Sequence, residues 1–435
     1  MEPTSIGLAL LGFAIFIIIL GVPIAYALLS AALIGTGLLM GLPQALSQLH
    51  ISLWEVGSNN LFINVPLYIF MGHLIYRTGM AAKVYESIYK WFGRFPGGIS
   101  TTSVLSSASF GALTGSSIAT VSTVGTMVIP EMKRYDYSPR LAMGSIASAG
   151  SLAILIPPSI PLVFYGIWTE TSIAALFMAG VAPGILLTLL FVFIITIACI
   201  VNPNLGPKSD PIPLKEKLTS LPKILPAALV FGIIFGGIYT GYFSPTESAA
   251  VGIFSIMVIS SFTQSLSFKI LWEAVTDTIR ISGTIMLILA AGVFMSRFLV
   301  LTDVTPTVVD SIASMQLNPY LLLFFIFLMY LVLGAMLDTF GMVILTLPLV
   351  FPVVTAAGFD SIWFGVFLVL MIEVSLITPP IGINVLLLSK LFPGEADLRD
   401  IFIGCIPFLL ATFALIALIT VYPNIVLWLP TNAAM

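Results

Sequence analysis

Apolar runs long enough to cross a bilayer, separated by short polar or charged clusters, recur along the whole of this chain. A helix needs about 20 predominantly apolar residues for one crossing. Only 8% of the 435 residues are charged and 59% are hydrophobic, with mean hydropathy +1.13, against about 25% charged in a typical soluble domain. The chain therefore has room for roughly ten such helices and little extramembrane structure, and its function must lie within the membrane. Met1-Glu2 leads directly into apolar sequence without a basic leader or small-residue cleavage site, so the first span is expected to be retained. Cys199 and Cys405 fall inside apolar segments and read as small buried residues, not as a disulfide or metal framework. The net charge of −3 is no nucleic-acid signature, because the basic residues form short clusters between spans.

A repeat is visible in the spacing. Leu155-Ile156-Pro157-Pro158 and Ile377-Thr378-Pro379-Pro380 share a double proline 222 residues apart, and Pro23 with Pro245 and Pro130 with Pro352 keep the same interval. Gly111-Ala112-Leu113 pairs with Gly334-Ala335-Met336 at 223, and Glu86-Ser87-Ile88 with Asp310-Ser311-Ile312 at 224.

The basic residues suggest that the two copies are inverted. Residues 77–94 carry Arg77, Lys83, Lys90 and Arg94, and residues 131–140 carry Lys133, Arg134 and Arg140, which places both segments in the cytoplasm. Their counterparts, 301–318 and 353–361, carry Asp303, Asp310 and Asp360 without Lys or Arg. The opposite swap relates 166–172 to 389–400 (Lys390, Arg399) and the loop 41–58 to 263–280 (Lys269, Arg280). The predicted organisation is a first repeat over 1–201, a Pro- and Lys-rich cytoplasmic linker over 202–223, and an inverted second repeat over 224–435. Both termini are expected outside.

Residues 99–130 start and end at cytoplasmic loops yet are too short for two spans of about 20 residues and a turn. They are predicted to form a re-entrant hairpin, with 319–352 entering from the opposite face. The fold class is thus an all-α polytopic membrane protein with an inverted two-fold repeat, two re-entrant hairpins and two broken helices.

The first tip, Thr114-Gly115-Ser116-Ser117, is rich in small polar residues. A non-helical turn at membrane depth survives only when buried in protein or lining a cavity, and its carbonyls and hydroxyls suit a hard cation. The Ser and Thr residues before 110 read as close helix packing. Ile156-Pro157-Pro158-Ser159 lies inside a span over 141–165, where two prolines must break the helix. In the second half Gly334 to Thr339 supplies the tip, and Thr378-Pro379-Pro380-Ile381-Gly382-Ile383-Asn384 breaks the helix over 362–388. Two tip-and-break pairs point to two cation sites flanking a substrate pocket that Ser116, Ser117 and Asn384 would line.

Four ionisable residues fall at membrane depth, where such groups are candidates for function. Asp338 is either a site ligand or an N-cap for the helix after the tip. Glu373 either neutralises nearby cationic charge or bonds to backbone, Glu247 starts a helix, and Arg297 either snorkels to the interface or pairs with an anionic substrate. His50 and His73 are the two histidines, and no metal spacing, phosphate loop or nucleophile elbow accompanies them. An enzymatic or ATP-driven role is therefore not expected.

Gly111 to Ser117, Ile129-Pro130-Glu131-Met132 and Leu155 to Ser159 closely resemble the large membrane subunit (M subunit, DctM-like) of tripartite ATP-independent periplasmic (TRAP) transporters. Ser244-Pro245-Thr246-Glu247-Ser248-Ala249-Ala250, Leu337-Asp338 and Leu376 to Asn384 extend the resemblance over nearly the whole chain. It implies a sodium-driven elevator in a bacterial inner membrane, served by a small membrane subunit of the Q type and a periplasmic binding protein of the P type. The implied substrate is a carboxylate such as a C4-dicarboxylate, a sialic acid or a keto acid, with no cofactor beyond sodium. Carried across, the family's sodium sites fall on Thr114, Gly115, Ser116 and Ser117 with Ile156, Pro157, Pro158 and Ser159, and on Gly334, Asp338 and Thr339 with Thr378, Pro379, Gly382 and Asn384. A passive channel would instead need a continuous polar stripe on several spans, which the sequence lacks. A membrane scaffold without transport would have no use for broken helices and polar hairpins.

Overall fold

The computed structural model describes residues 2–334, 337 and 339–433, and among them every regular element is helical. The first half comprises α1 (Pro3–Ile19), α2 (Ile24–Met40), α3 (Leu42–Ser58), α4 (Asn64–Arg77), α5 (Met80–Phe92), α6 (Gly98–Thr114), α7 (Ser117–Arg134), α8 (Pro139–Leu155), α9 (Ile160–Trp168) and α10 (Ile173–Val201). The second comprises α11 (Leu214–Tyr239), α12 (Pro245–Phe262), α13 (Phe268–Leu301), α14 (Val304–Ser314), α15 (Pro319–Gly334), α16 (Thr339–Ala356), α17 (Ser361–Ile377), α18 (Ile383–Leu391), α19 (Leu398–Val421) and α20 (Asn424–Asn432). Shifted by 222 residues, α2, α6, α7, α8 and α9 begin within one residue of α12, α15, α16, α17 and α18.

The halves differ clearly between α2 and α5. Residues 42–77 form two helices joined by a 3₁₀ turn at Asn60–Ile63, whereas their counterpart is the uninterrupted 34-residue α13. The Asn59 side chain accepts from the Leu61 amide at 2.9 Å, a local bond that competes with helix propagation. Pro66 follows in the first turn of α4, where the missing amide costs nothing. No proline interrupts Phe268–Leu301. The segment 41–58, expected as a loop, is thus mostly the helix α3, opened by Pro43 in its first turn.

The linker is also shorter than its composition suggests. Its irregular part ends at Pro213, and Lys215, Lys217 and Lys223 sit on α11. Nor is it loose. The Gly97 amide donates to the Gly206 carbonyl at 3.2 Å, the Ser138 amide donates to the Leu205 carbonyl at 3.0 Å, and Ser209 is buried.

Burial sorts the helices into a centre and a rim. Every residue from Ala142 to Leu155 on α8 and from Trp363 to Ile377 on α17 is buried, as expected of helices enclosed on all sides. The best apolar window of the α8–α9 segment is 94% buried, against 28% for α11. Large apolar side chains such as Leu189, Phe193, Phe254 and Phe262 cover the outside of α10 and α12, the surface a lipid-exposed helix presents. Seven segments have the length and apolarity to cross a membrane, the broken α8–α9 being one, and four shorter apolar helices accompany them among the described residues. The protein is a multi-pass membrane protein.

Candidate functional site

The chain reverses between α6 and α7 in two residues. Gly115 takes a left-handed conformation with φ +61° and its amide donates to the Gly111 carbonyl at 2.8 Å, which ends α6. Ser116 is extended and its Oγ accepts from the Ala119 amide at 3.4 Å as the N-cap of α7. Around this turn Thr114 donates to the Phe110 carbonyl at 3.2 Å and Thr120 to the Ser116 carbonyl at 2.8 Å. Each arm is about 26 Å long at 1.5 Å per residue, close to the hydrocarbon thickness of about 30 Å. The arms extend to 98 and 134, beyond the expected 99–130. Before the tip, the hydroxyls of Thr102, Ser103 and Ser109 turn back onto carbonyls of their own helix, as packing residues do.

The first break follows from its prolines. With no amide on Pro157 or Pro158, α8 stops at Leu155, and α9 restarts at Ile160. Ser159 spans the gap: its Oγ accepts from the Leu162 amide at 3.3 Å and donates to the Ile154 carbonyl. Among the described residues no backbone amide donates to the carbonyls of Ile156, Pro157 or Pro158. Tip and break meet here. A Cβ on Gly115 would lie 2.5 Å from the Pro158 carbonyl oxygen and 3.2 Å from the Ile160 amide, so only glycine permits the approach. Behind the break, Gly180 and Gly184 of α10 pack against the Leu155 carbonyl and Ile156. Pro157, Pro158 and Ser159 are accordingly buried.

The second pair repeats the pattern with a more open break. Gly334 ends α15 against Ser375 of α17, where a Cβ would meet the Ser375 Cβ at 2.4 Å. Thr339 begins α16, while Asp338, with Ala335 and Met336, lies outside the described residues. The break runs from Thr378, whose Oγ1 donates to the Val374 carbonyl at 2.6 Å, to Gly382 at φ +50°. Both breaks hold a cis prolyl bond, Pro157-Pro158 and Pro379-Pro380. Pro379 and Pro380 are exposed, beside an apolar groove of about 450 Å³ lined by Pro379, Arg399, Phe402 and Ile406.

The remaining candidates are placed by specific partners. Glu373 accepts from Ser151 at 2.9 Å, joining α17 to α8 at positions 222 apart. Asn384 is buried and donates to the Ala147 carbonyl of α8 at 3.0 Å. Arg297 is partnered on α3: its guanidinium pairs with Glu55 at 2.5 Å and approaches Gln48 at 3.5 Å. Neutralisation by a carboxylate explains its position within α13. Glu247 closes a capping box with Ser244 at the start of α12, the helix-start role its sequence context predicts. Ser151 is the residue that the sequence did not single out, and its spacing of 222 from Glu373 was the available signal.

Comparison with known proteins accords with this architecture. The YdaH transporter from Alcanivorax borkumensis, described as having an unusual topology, superposes with a TM-score of 0.62 over 88% of this chain and 89% of its own, at 14% identity. The C4-dicarboxylate TRAP transporter large permease protein DctM of Pseudomonas aeruginosa is 32% identical over 391 residues, covering 89% of this chain and 90% of the relative. The sialic acid TRAP transporter large permease protein SiaM of Vibrio cholerae is 27% identical over 423 residues, with 94% and 95% covered. A family model described as the DctM component of the tripartite ATP-independent periplasmic transporter matches residues 11–425. The chain therefore belongs to the DctM family, the large permease subunits of TRAP transporters.

Proposed function

We propose that this subunit imports an organic acid across a bacterial inner membrane by sodium-coupled elevator transport. The meeting of Gly115 with the Pro158 carbonyl carries the reading, because it sets a hairpin tip against a broken helix whose carbonyls at 156–158 have no backbone donor among the described residues. Neutral carbonyl and hydroxyl oxygens from Thr114, Ser116, Ser117 and Ser159 complete a donor set suited to a hard monovalent cation. The second ion is assigned to Gly334, Asp338 and Thr339 with Thr378, Pro379, Gly382 and Asn384. The pocket between the two pairs would receive the carboxylate, with Ser116, Ser117 and Asn384 as its contacts.

The names of the relatives favour a C4-dicarboxylate or a sialic acid. Family membership supports two partners, a small membrane subunit and a periplasmic protein that delivers substrate. Residues 1–201 and 224–435 are read as inverted repeats with re-entrant hairpins and periplasmic termini, on the strength of the common helix order and the swapped loop charges. The test is uptake by proteoliposomes holding both membrane subunits, fed by the loaded binding protein. Uptake should require an inward sodium gradient, and equal uptake under a potassium gradient would reject the coupling.

A further inference from the structure

The two helix breaks are backed differently, and the repeat supplies the reason. Behind the first, Gly180 and Gly184 let α10 lie against the Leu155 carbonyl, the Pro157 ring and Ile156. The interval of 222 residues carries those two glycines to Phe402 and Ile406 of α19. Bulky side chains at both places hold α19 off its own break. Phe402 rests on Gly382, where a Cβ would lie 2.6 Å from its ring, and Ile406 is 49% exposed. The space left over is the apolar groove of about 450 Å³, with Pro379 of the break in one wall and Arg399, Phe402, Ile406 and Leu409 along α19.

The dimensions of this groove are those of one lipid leaflet. Leu409 lies ten residues after Arg399, about 15 Å along the helix axis and half of a hydrocarbon thickness of about 30 Å. Exposed apolar side chains at Leu410, Leu418 and Val421 continue α19 as a lipid-facing surface. Charge marks the other end. Asp400 pairs with Arg140 at 2.8 Å and Glu395 with Lys133 at 2.7 Å, so the nearby acids on that side are occupied. Asp397 stands at the N-cap position of α19 and does not line the groove. Arg399 is exposed at the groove mouth and has no carboxylate within ion-pairing distance among the described residues. A planar guanidinium free of protein partners beside an acyl-length apolar channel suits a phosphate ester with a hydrocarbon tail.

We infer that this groove binds an anionic phospholipid, with its phosphate on Arg399 and one acyl chain laid along Phe402, Ile406 and Leu409 behind the second break. The chain gives Pro379 the apolar backing that α10 gives Pro157. The inference is independent of sodium coupling.

The experiment is photolabelling of the two-subunit membrane complex in phosphatidylcholine nanodiscs. Trace phosphatidylglycerol or phosphatidylcholine carries a mid-chain diazirine, and labelled peptides are mapped by mass spectrometry. Phosphatidylglycerol should label residues 398–409 about fivefold more than phosphatidylcholine, the factor for one cation beside an anionic headgroup. Arg399→Gln should abolish that preference, while Arg280→Gln, at another exposed arginine on α13, should preserve it. Ile406→Trp fills the groove and should abolish labelling by both lipids; where it does not fold, Arg399→Gln carries the test. Equal labelling by the two lipids in the wild type overturns the proposal, as does a preference that survives Arg399→Gln. A benzophenone attached at Ile406→Cys that cross-links to the small subunit in place of lipid also overturns it, and assigns the groove to that partner.

Discussion

Replacing Gly115 with alanine isolates the contact between tip and break. The left-handed backbone at φ +61° costs an L-residue about 1–2 kcal/mol. The added methyl would also sit 2.5 Å from the Pro158 carbonyl oxygen, and relieving such overpacking costs about 1–3 kcal/mol. Together these disfavour the docked tip by about 2–5 kcal/mol, or roughly 30- to 4,000-fold at 1.4 kcal/mol per decade. If the docked tip is the form that binds sodium, apparent affinity falls by the same factor. Gly358→Ala is the control, since Gly358 has φ +88° with open space around it, so only the backbone term remains. Sodium titration of uptake in proteoliposomes, paired with thermal unfolding of each variant, measures both effects. A folded Gly115→Ala protein with half-saturating sodium within about twofold of wild type would refute the argument that tip and break form one site.

Three further outcomes follow from particular contacts. Ser159→Ala removes the N-cap of α9 and should cost about 1 kcal/mol, seen as a lower unfolding temperature together with weaker sodium stabilisation, whereas Ser159→Thr should retain most of both. Arg297→Ala and Glu55→Ala break a half-exposed pair whose contribution should be at most about 1 kcal/mol; a double-mutant cycle on thermal stability should show coupling with substrate KM unchanged, and a large KM rise in Arg297→Ala would restore a substrate role. Glu86 is held below its ordinary carboxylate range by Lys223 and then Lys90. Its contribution is therefore present above the ordinary value near 4.5 and lost as pH falls through the lowered folded value. Thermal stability should drop on acidification below that point, and Glu86→Gln should flatten the drop.

Local chemistry made much of this architecture readable from the sequence. A double proline stops a helix and a Gly-Ser turn ends one, so α8 and α17 end just before their double prolines and the chain turns at Gly115-Ser116. The ends of elements were harder to place. Alpha-helical register continues through polar residues when nothing forbids it, which is why α3 occupies a stretch read as a loop and α11 absorbs the basic end of the linker. Pairings between distant helices were invisible for a different reason. Nothing adjacent to Arg297 in the chain specifies Glu55, and nothing beside Asn384 specifies the Ala147 carbonyl, because those partners are chosen by packing.

The Ser151 to Glu373 contact has a consequence for how such a protein can be built. In a dimer of two identical chains, a residue on the two-fold axis faces its own copy, so a self-complementary interface there can only oppose like with like. Two glutamates at that point could persist only by sharing a proton, and two serines would leave no acid at all. A single polypeptide carrying both halves is free of that rule: each copy can change alone, and a hydroxyl donor can face a carboxylate across positions that the repeat makes equivalent. Joining the halves in one chain is what lets a single acid stand at the centre of this fold opposite a hydroxyl donor.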